Sequence, residues 1–191
     1  MLLLIVGLAV FIGVHVITTM RDRRARLIER FGEGPYKSGY SVLSILGLVL
    51  IVLGWRAAPF IPLWEPPVAM RHIAIPLVWI AFVCVTAAYV PSGFIKARLR
   101  HPMLVGVKVW ALAHLLANGD LAAMLLFGSL LAFAVYDRIA VKRRARIESA
   151  QPIAPPRWHN DLIAVAVGTV LFLGFAVYVH PHVIGVPVLP G

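Results

Sequence analysis

Long apolar segments alternate with short, strongly basic ones along the 191-residue chain. A helix needs roughly 20 apolar residues to cross the hydrocarbon core of a bilayer. The pattern therefore predicts an all-α integral membrane bundle of about six transmembrane helices. The approximate predicted segments are Leu2–Met20, Gly39–Pro59, His72–Val90, Pro102–Asn118, Leu121–Tyr136 and Leu162–Val179.

Composition supports the membrane class and argues against a soluble one. The chain is 61% hydrophobic and only 14% charged, whereas soluble domains are roughly 25% charged. A net charge of +10 is also typical of nucleic-acid binders, but here the charges lie in clusters between apolar segments. We therefore expect the lipid bilayer, and no nucleic acid, as a partner.

The basic residues also predict the orientation of the chain. Fifteen of the 18 lysines and arginines fall in the loops after the first, third and fifth segments. Basic loops are cytoplasmic in bacterial membrane proteins, so both termini should be periplasmic, which requires an even number of spans. The fifteen are Arg21, Arg23, Arg24, Arg26, Arg30, Lys37, Lys96, Arg98, Arg100, Arg138, Lys142, Arg143, Arg144, Arg146 and Arg157.

The connections between segments predict a single domain covering residues 1–191. The proline-rich stretch AAPFIPLWEPPVAMR predicts an extended strap on the outer side. Asn118-Gly119-Asp120 predicts a tight hairpin between the fourth and fifth segments, with Asp120 as a turn or helix-cap residue. The inner stretch Val141–Arg157 predicts a linker that changes from helix to extended chain. The first apolar segment lacks the features of a cleavable signal peptide and is interpreted as a retained span.

The fourth segment, RHPMLVGVKVWALAHLLANGD, is the strongest candidate for a functional site. It carries the ionisable residues His101, Lys108, His114 and Asp120 within or beside an apolar run. A charged group at membrane depth costs roughly 2.5–3.5 kcal/mol, so such residues usually face a bundle interior and mark a site. Trp110 and Asn118 are each one turn from His114, so we expect Asn118 to orient the ring of His114.

Two further groups of residues have both a functional and a structural interpretation. His15 lies near the end of the first segment, behind Gly7 and Gly13, which permit close helix approach. It is either a ligand or a polar packing contact. Arg100 and His101 form either an anion or substrate contact at the cytoplasmic mouth or an interfacial anchor.

Several chemistries are excluded by what the sequence lacks. Cys84 is the only cysteine, so disulfides and a CxxCH haem attachment are impossible. The chain contains no phosphate-binding loop and no glycine-rich dinucleotide fingerprint. No arrangement for hydrolysis is evident, and no catalytic residue is assigned. Intramembrane histidines without carboxylates favour non-covalent haem ligation, since neutral imidazole is a strong axial ligand.

Four sequence blocks resemble the NnrU family of bacterial membrane proteins, up to about Arg146. The blocks are GLAVFIGVHV, RFGEGPYKSGYSVLSILGL, PLWEPP and RHPMLVGVKVWALAHLLANGD. The resemblance implies an inner-membrane protein linked to denitrification and nitric oxide metabolism, with nitric oxide reductase or another denitrification component as a partner. The final predicted helix, at about residues 160–180, is the least diagnostic part.

A better-understood relative of that family suggests a cofactor. The plastid 15-cis-zeta-carotene isomerase is similar over the same blocks and binds haem b through two histidines. By motif position the corresponding axial ligands are His15 and His114, and the function would be redox-linked chemistry or isomerisation of a small or apolar ligand. The isomerase has a cysteine three residues before its second ligand, where this chain has Ala111. In the isomerase this cysteine is implicated as a replacement ligand of the haem. Because alanine occupies the position here, the resemblance does not imply such an exchange of ligands in this chain.

Two alternatives remain from the sequence. RHPMLVG resembles the RHPxYxG motif of membrane methyltransferases of the isoprenylcysteine carboxyl methyltransferase type, which bind S-adenosylmethionine. Met103 and Leu104 replace the aromatic position, and the later acidic and aromatic block of those enzymes is missing. The other alternative is a non-enzymatic accessory protein that assists the assembly of a nitric oxide reductase.

Overall fold

The chain folds almost entirely into helices. A computed structural model describes residues 1–147 and 154–188, is 83% helical and has no β-strand within these ranges. The all-α prediction is confirmed. The helices are α1 (Leu2–Thr19), α2 (Arg21–Phe31), α3 (Glu33–Arg56), α4 (Val68–Tyr89), α5 (Phe94–Leu99), α6 (Pro102–Ala117), α7 (Leu121–Ile147) and α8 (Trp158–Gly174), which continues as a π-helix over Phe175–Ile184.

Each of the six predicted segments coincides with an apolar helix. Five are long and apolar enough to cross a membrane, namely α1, α3, α4, α7 and α8 with its π-helical continuation. Helix α6 is apolar but has only 16 residues, which corresponds to about 24 Å. The sequence therefore located the long apolar helices of the described residues, and most bounds differ by a few residues, whereas α7 extends eleven residues beyond the predicted end at Tyr136.

The helices divide into two compact units, Met1–Ile61 and Pro62–Gly191. The first unit contains α1, α2 and α3. The second contains α4 to α8 and the π-helical continuation. The assignment of residues 1–191 to one domain stays a prediction.

Glycines determine how α1 and α3 pack in the first unit. A Cβ atom added to Gly7 would lie 2.6 Å from the Ile51 backbone nitrogen, and one added to Gly47 would lie 2.8 Å from the Phe11 nitrogen. One added to Gly54 would overlap the backbone of Leu4. The expected close approach at Gly7 is confirmed. The same expectation for Gly13 is wrong, because an added Cβ there meets nothing within 4 Å.

Helix α4 is the packing centre of the second unit and contacts both α6 and α8. A Cβ added to Gly106 of α6 would lie 2.8 Å from the Ala81 carbonyl oxygen, and one added to Gly168 of α8 would lie 2.9 Å from the Val83 Cα. Trp79 Nε1–H donates a hydrogen bond of 2.9 Å to the Thr169 hydroxyl. Small residues thus let these helices approach closely, as in other membrane bundles.

The strap and the hairpin meet in the second unit. The backbone N–H groups of Leu63 and Trp64 donate to the Gly119 carbonyl at 2.8 and 3.0 Å. An added Cβ at Gly119 would overlap the Trp64 carbonyl oxygen. Asp120 Oδ1 accepts a 3.1 Å hydrogen bond from the Ala123 N–H, so the helix-cap prediction is confirmed. The strap is non-helical from residue 57 to 67, whereas its last four predicted residues belong to α4.

The start of α8 is fixed by polar contacts with the start of α5 and with the segment that precedes α5. The carboxylate of Asp161 accepts hydrogen bonds from the N–H groups of Phe94 and Ile95, at 2.8 and 3.0 Å. The buried Asn160 amide donates to the Ser92 carbonyl at 2.9 Å. The predicted linker is helical through residue 147 and non-helical at 154–157, while its residues 148–153 lie outside the described residues.

Candidate cofactor site

His114 lies near the C-terminal end of α6, with its imidazole hydrogen-bonded to its own helix. Its Nδ1 is 2.8 Å from the carbonyl oxygen of Trp110, four residues earlier. A carbonyl oxygen only accepts hydrogen bonds, so Nδ1 carries the proton and the lone pair is on Nε2. The local helix geometry therefore selects the tautomer in which Nε2 is the metal-binding nitrogen.

Aromatic rings from two helices surround His114. The Phe127 ring of α7 stacks on the imidazole at 4.4 Å between centroids and 27° between planes. The Trp110 ring lies 4.8 Å from the imidazole and packs against Phe127 at 5.1 Å. The expected position of Trp110 beside His114 is confirmed. These rings limit the rotation of the imidazole and provide an apolar environment.

Asn118 contacts His114 in a different way from the expectation. Its side-chain amide donates to the backbone carbonyl of His114 at 2.9 Å, and its own backbone N–H donates to the same carbonyl at 3.0 Å. The ring is instead oriented by the carbonyl of Trp110. Asn118 therefore closes the end of α6, and its proposed supporting role acts through the backbone.

The final helix extends further than the sequence predicted, and it includes two histidines that were expected to lie at or outside its end. The last predicted segment ended at Val179, but the helical structure continues through Ile184 and includes His180 and His182. The apolar residues that follow His182, VIGVPV, were the available signal that the helix continues.

His15 occupies a similar local environment in the first unit. Its Nδ1 is 2.6 Å from the Phe11 carbonyl oxygen, again four residues earlier in the helix. The imidazole lies 4.3 Å from the Phe11 ring and 5.3 Å from the Tyr40 ring of α3. The same argument assigns the proton to Nδ1 and the lone pair to Nε2.

Arg100 and His101 lie at the opposite end of α6 from His114. Arg100 has a positive φ of 62°, which turns the chain between α5 and α6, and His101 caps α6 before Pro102. Partial burial, and secondarily the positive charge of Arg138, lower the pKa of the His101 imidazole below its usual value. A lowered pKa favours the neutral form of His101. The positive charge near the start of α6 therefore comes from Arg100 and Arg138. An anion contact here stays a prediction.

The residues that the sequence singled out lie on different helices and in both units. Within the described ranges no group of three or more His, Cys, Asp or Glu residues is arranged to hold a metal ion. His101 and His114 are thirteen residues apart on one helix, or about 20 Å, so they cannot share a small ion. His15 belongs to the first unit and His114 to the second.

These features define a polytopic α-helical membrane protein with histidines inside its apolar helices. The sequence model of the family described as "NnrU protein" matches residues 3–188. The chain belongs to the NnrU family, and the match includes the final helix, which the sequence blocks left undecided. No curated protein and no solved structure matches the chain.

Proposed function

We propose that this chain is a bacterial inner-membrane protein that binds haem b non-covalently and acts in nitric oxide metabolism linked to denitrification. The proposed chemistry is redox-linked, or an isomerisation of a small or apolar ligand. His15 and His114 are the residues that would hold the haem iron. Nitric oxide reductase or another denitrification component is the proposed partner.

One observation carries the cofactor proposal: in both histidines Nδ1 is hydrogen-bonded to the carbonyl oxygen four residues earlier, as it also is in His182. Each Nδ1 binds the carbonyl oxygen four residues earlier, which leaves the lone pair on Nε2. A ligand histidine typically donates its second ring N–H to a carbonyl or carboxylate, which fixes the ring and raises its basicity. Haem iron accepts such an imidazole as an axial ligand. The two imidazoles are therefore suitable ligands for the haem b that the family resemblance implies.

The protein residues around each imidazole would control its surroundings. Haem iron, when bound, supplies one-electron chemistry and a site for small ligands. The Trp110 carbonyl holds the proton on Nδ1 of His114, and the Trp110 and Phe127 rings exclude water from the imidazole. The Phe11 carbonyl holds the proton on Nδ1 of His15, and the His15 imidazole lies beside the Tyr40 ring.

A visible absorption spectrum of the purified protein tests this proposal. We expect a b-type pyridine haemochrome, which His15→Ala and His114→Ala should each alter or abolish. His159→Ala is the matched control, because His159 is exposed at the start of α8. A spectrum that survives His15→Ala but is lost in His72→Ala or His101→Ala would overturn the ligand assignment. A colourless protein that binds S-adenosylmethionine would favour the methyltransferase alternative, and one that binds neither would favour the accessory role.

The membrane topology provides a second test, because the proposal places both termini in the periplasm. The six apolar helices and the charge distribution support this orientation. Reporter fusions after Lys96 and after Arg146 should be cytoplasmic, and a C-terminal fusion should be periplasmic. A cytoplasmic C-terminus would mean that one helix does not cross the membrane, and α6, the shortest of the six apolar helices, is the candidate.

A further inference from the structure

Helix α2 is amphipathic and lies between two apolar helices in the chain. Arg23, Arg26 and Arg30 are exposed, whereas Leu27 and Ile28 are half-buried. Its eleven residues include five arginines and two acidic residues. A helix with arginines on one face and leucine or phenylalanine on the other is typical of helices that lie in the membrane interface. The neighbouring helices α1 and α3 are both apolar enough to span the bilayer.

An apolar groove of about 350 Å³ lies within the first unit, between α2 and the adjacent parts of α1 and α3. Its lining includes Leu27 and Phe31 of α2, Val14 of α1, and Tyr36, Gly39 and Tyr40 of α3. This volume is in the range of small-molecule sites, which are mostly apolar with a few polar groups. The groove therefore has the size and the lining of a site for an apolar chain.

Two arginines lie over aromatic rings that line this groove. The Arg24 guanidinium is 5.8 Å from the centroid of the Tyr36 ring, and that of Arg30 is 5.2 Å from the centroid of the Phe31 ring. Arginine is suited to phosphate because its planar group donates several hydrogen bonds. Positive charge thus lies directly beside the apolar lining.

We propose that this groove binds an anionic phospholipid of the surrounding bilayer. One acyl chain would occupy the groove, and the headgroup phosphate would contact Arg24 and Arg30. Charge complementarity supports this occupant, since α2 carries a net positive charge and juxtamembrane basic clusters attract anionic lipids. The lipid site shares Tyr40 with the surroundings of His15, but its test does not require a cofactor.

Native mass spectrometry of the full-length protein in detergent tests the headgroup part. The probes are phosphatidylglycerol and phosphatidylcholine with identical acyl chains. We expect phosphatidylglycerol to bind on the order of tenfold more tightly, and R24Q/R30Q to remove this preference. The matched control is R23Q/R26Q, which removes the same charge from the same helix but away from the groove. Equal loss in the two double variants would overturn the site, because it would indicate general attraction to α2.

A pair of glycine variants tests the acyl-chain part. A Cβ added to Gly39 meets nothing within 4 Å, so Gly39→Phe should fold and fill the groove, lowering the affinity for both lipids. Gly13→Phe is the control, because Gly13 also has open space but does not line the groove. Circular dichroism melting verifies folding, and Gly39→Leu replaces Gly39→Phe if the latter unfolds. Unchanged lipid binding in a folded Gly39 variant would overturn the proposal. A wild-type dimer that Gly39→Phe dissociates would overturn it as well, by showing a second copy in the groove.

Discussion

Gly54→Leu is expected to separate α1 from α3 and to destabilise the first unit by about 3 kcal/mol or more. Overpacking a core costs about 1–3 kcal/mol when side chains can move, but here the new Cβ would overlap the backbone of Leu4. Two helices would have to shift, since neither backbone can yield locally. Helix association in membranes depends on such close packing. Thermal or detergent-induced unfolding of the purified protein measures the loss.

Gly13→Leu is the matched control for this substitution. Both glycines belong to the helices of the first unit, but an added Cβ at Gly13 has open space. We expect Gly13→Leu to retain the wild-type unfolding midpoint, or to exceed it slightly because glycine is a poor helix former. Equal midpoints for the Gly54 and Gly13 variants would contradict the packing described for α1 and α3.

His114→Leu is expected to separate function from folding. The variant should insert and fold as well as the wild type or better, because a polar group at membrane depth is removed. The Trp110 carbonyl remains part of the α6 backbone. Loss of its hydrogen bond with the His114 ring therefore leaves no buried polar group without a partner. Under the proposed function, haem absorbance and growth on nitrite should both be lost. Absorption spectra, unfolding curves and a nitrite-growth assay measure these three outcomes.

His159→Leu provides the comparison for His114→Leu. His159 is exposed beside Trp158 at the start of α8, so its replacement should change none of the three measurements. Full activity of His114→Leu in the growth assay would show that His114 is a packing contact only. Loss of folded protein would instead assign the imidazole a structural role.

Hydropathy was sufficient to predict the framework of this fold. Every long apolar helix, the hairpin at Asn118-Gly119-Asp120 and the cap by Asp120 follow from patterns within about 20 residues of chain. Such features depend on local sequence, because the cost of placing polar groups in lipid is paid residue by residue. The extended part of the strap was also predictable from local sequence, because its prolines exclude a helix.

Features that depend on contacts between distant residues were not predicted. The basic stretch that forms α2 contains no apolar run, so it was interpreted only as a loop. The contact of Asp161 with the N–H groups of Phe94 and Ile95 joins residues more than sixty positions apart. Likewise, the close approach predicted at Gly13 was wrong, because the sequence does not show which glycine of a helix faces its partner. Which glycine faces a partner helix is determined by helix rotation.

Under the proposed six-span topology, the shortness of α6 would make the protein sensitive to bilayer thickness. Its 16 residues are about 6 Å shorter than a hydrocarbon core of about 30 Å. Hydrophobic mismatch of this kind is relieved by local thinning of the bilayer, at a modest cost for each ångström. Thinning at the hairpin end brings headgroups and water closer to His114, one turn from that end. Lipids with longer acyl chains raise the cost of this deformation, so under that topology membrane composition would tune the polarity around the imidazole.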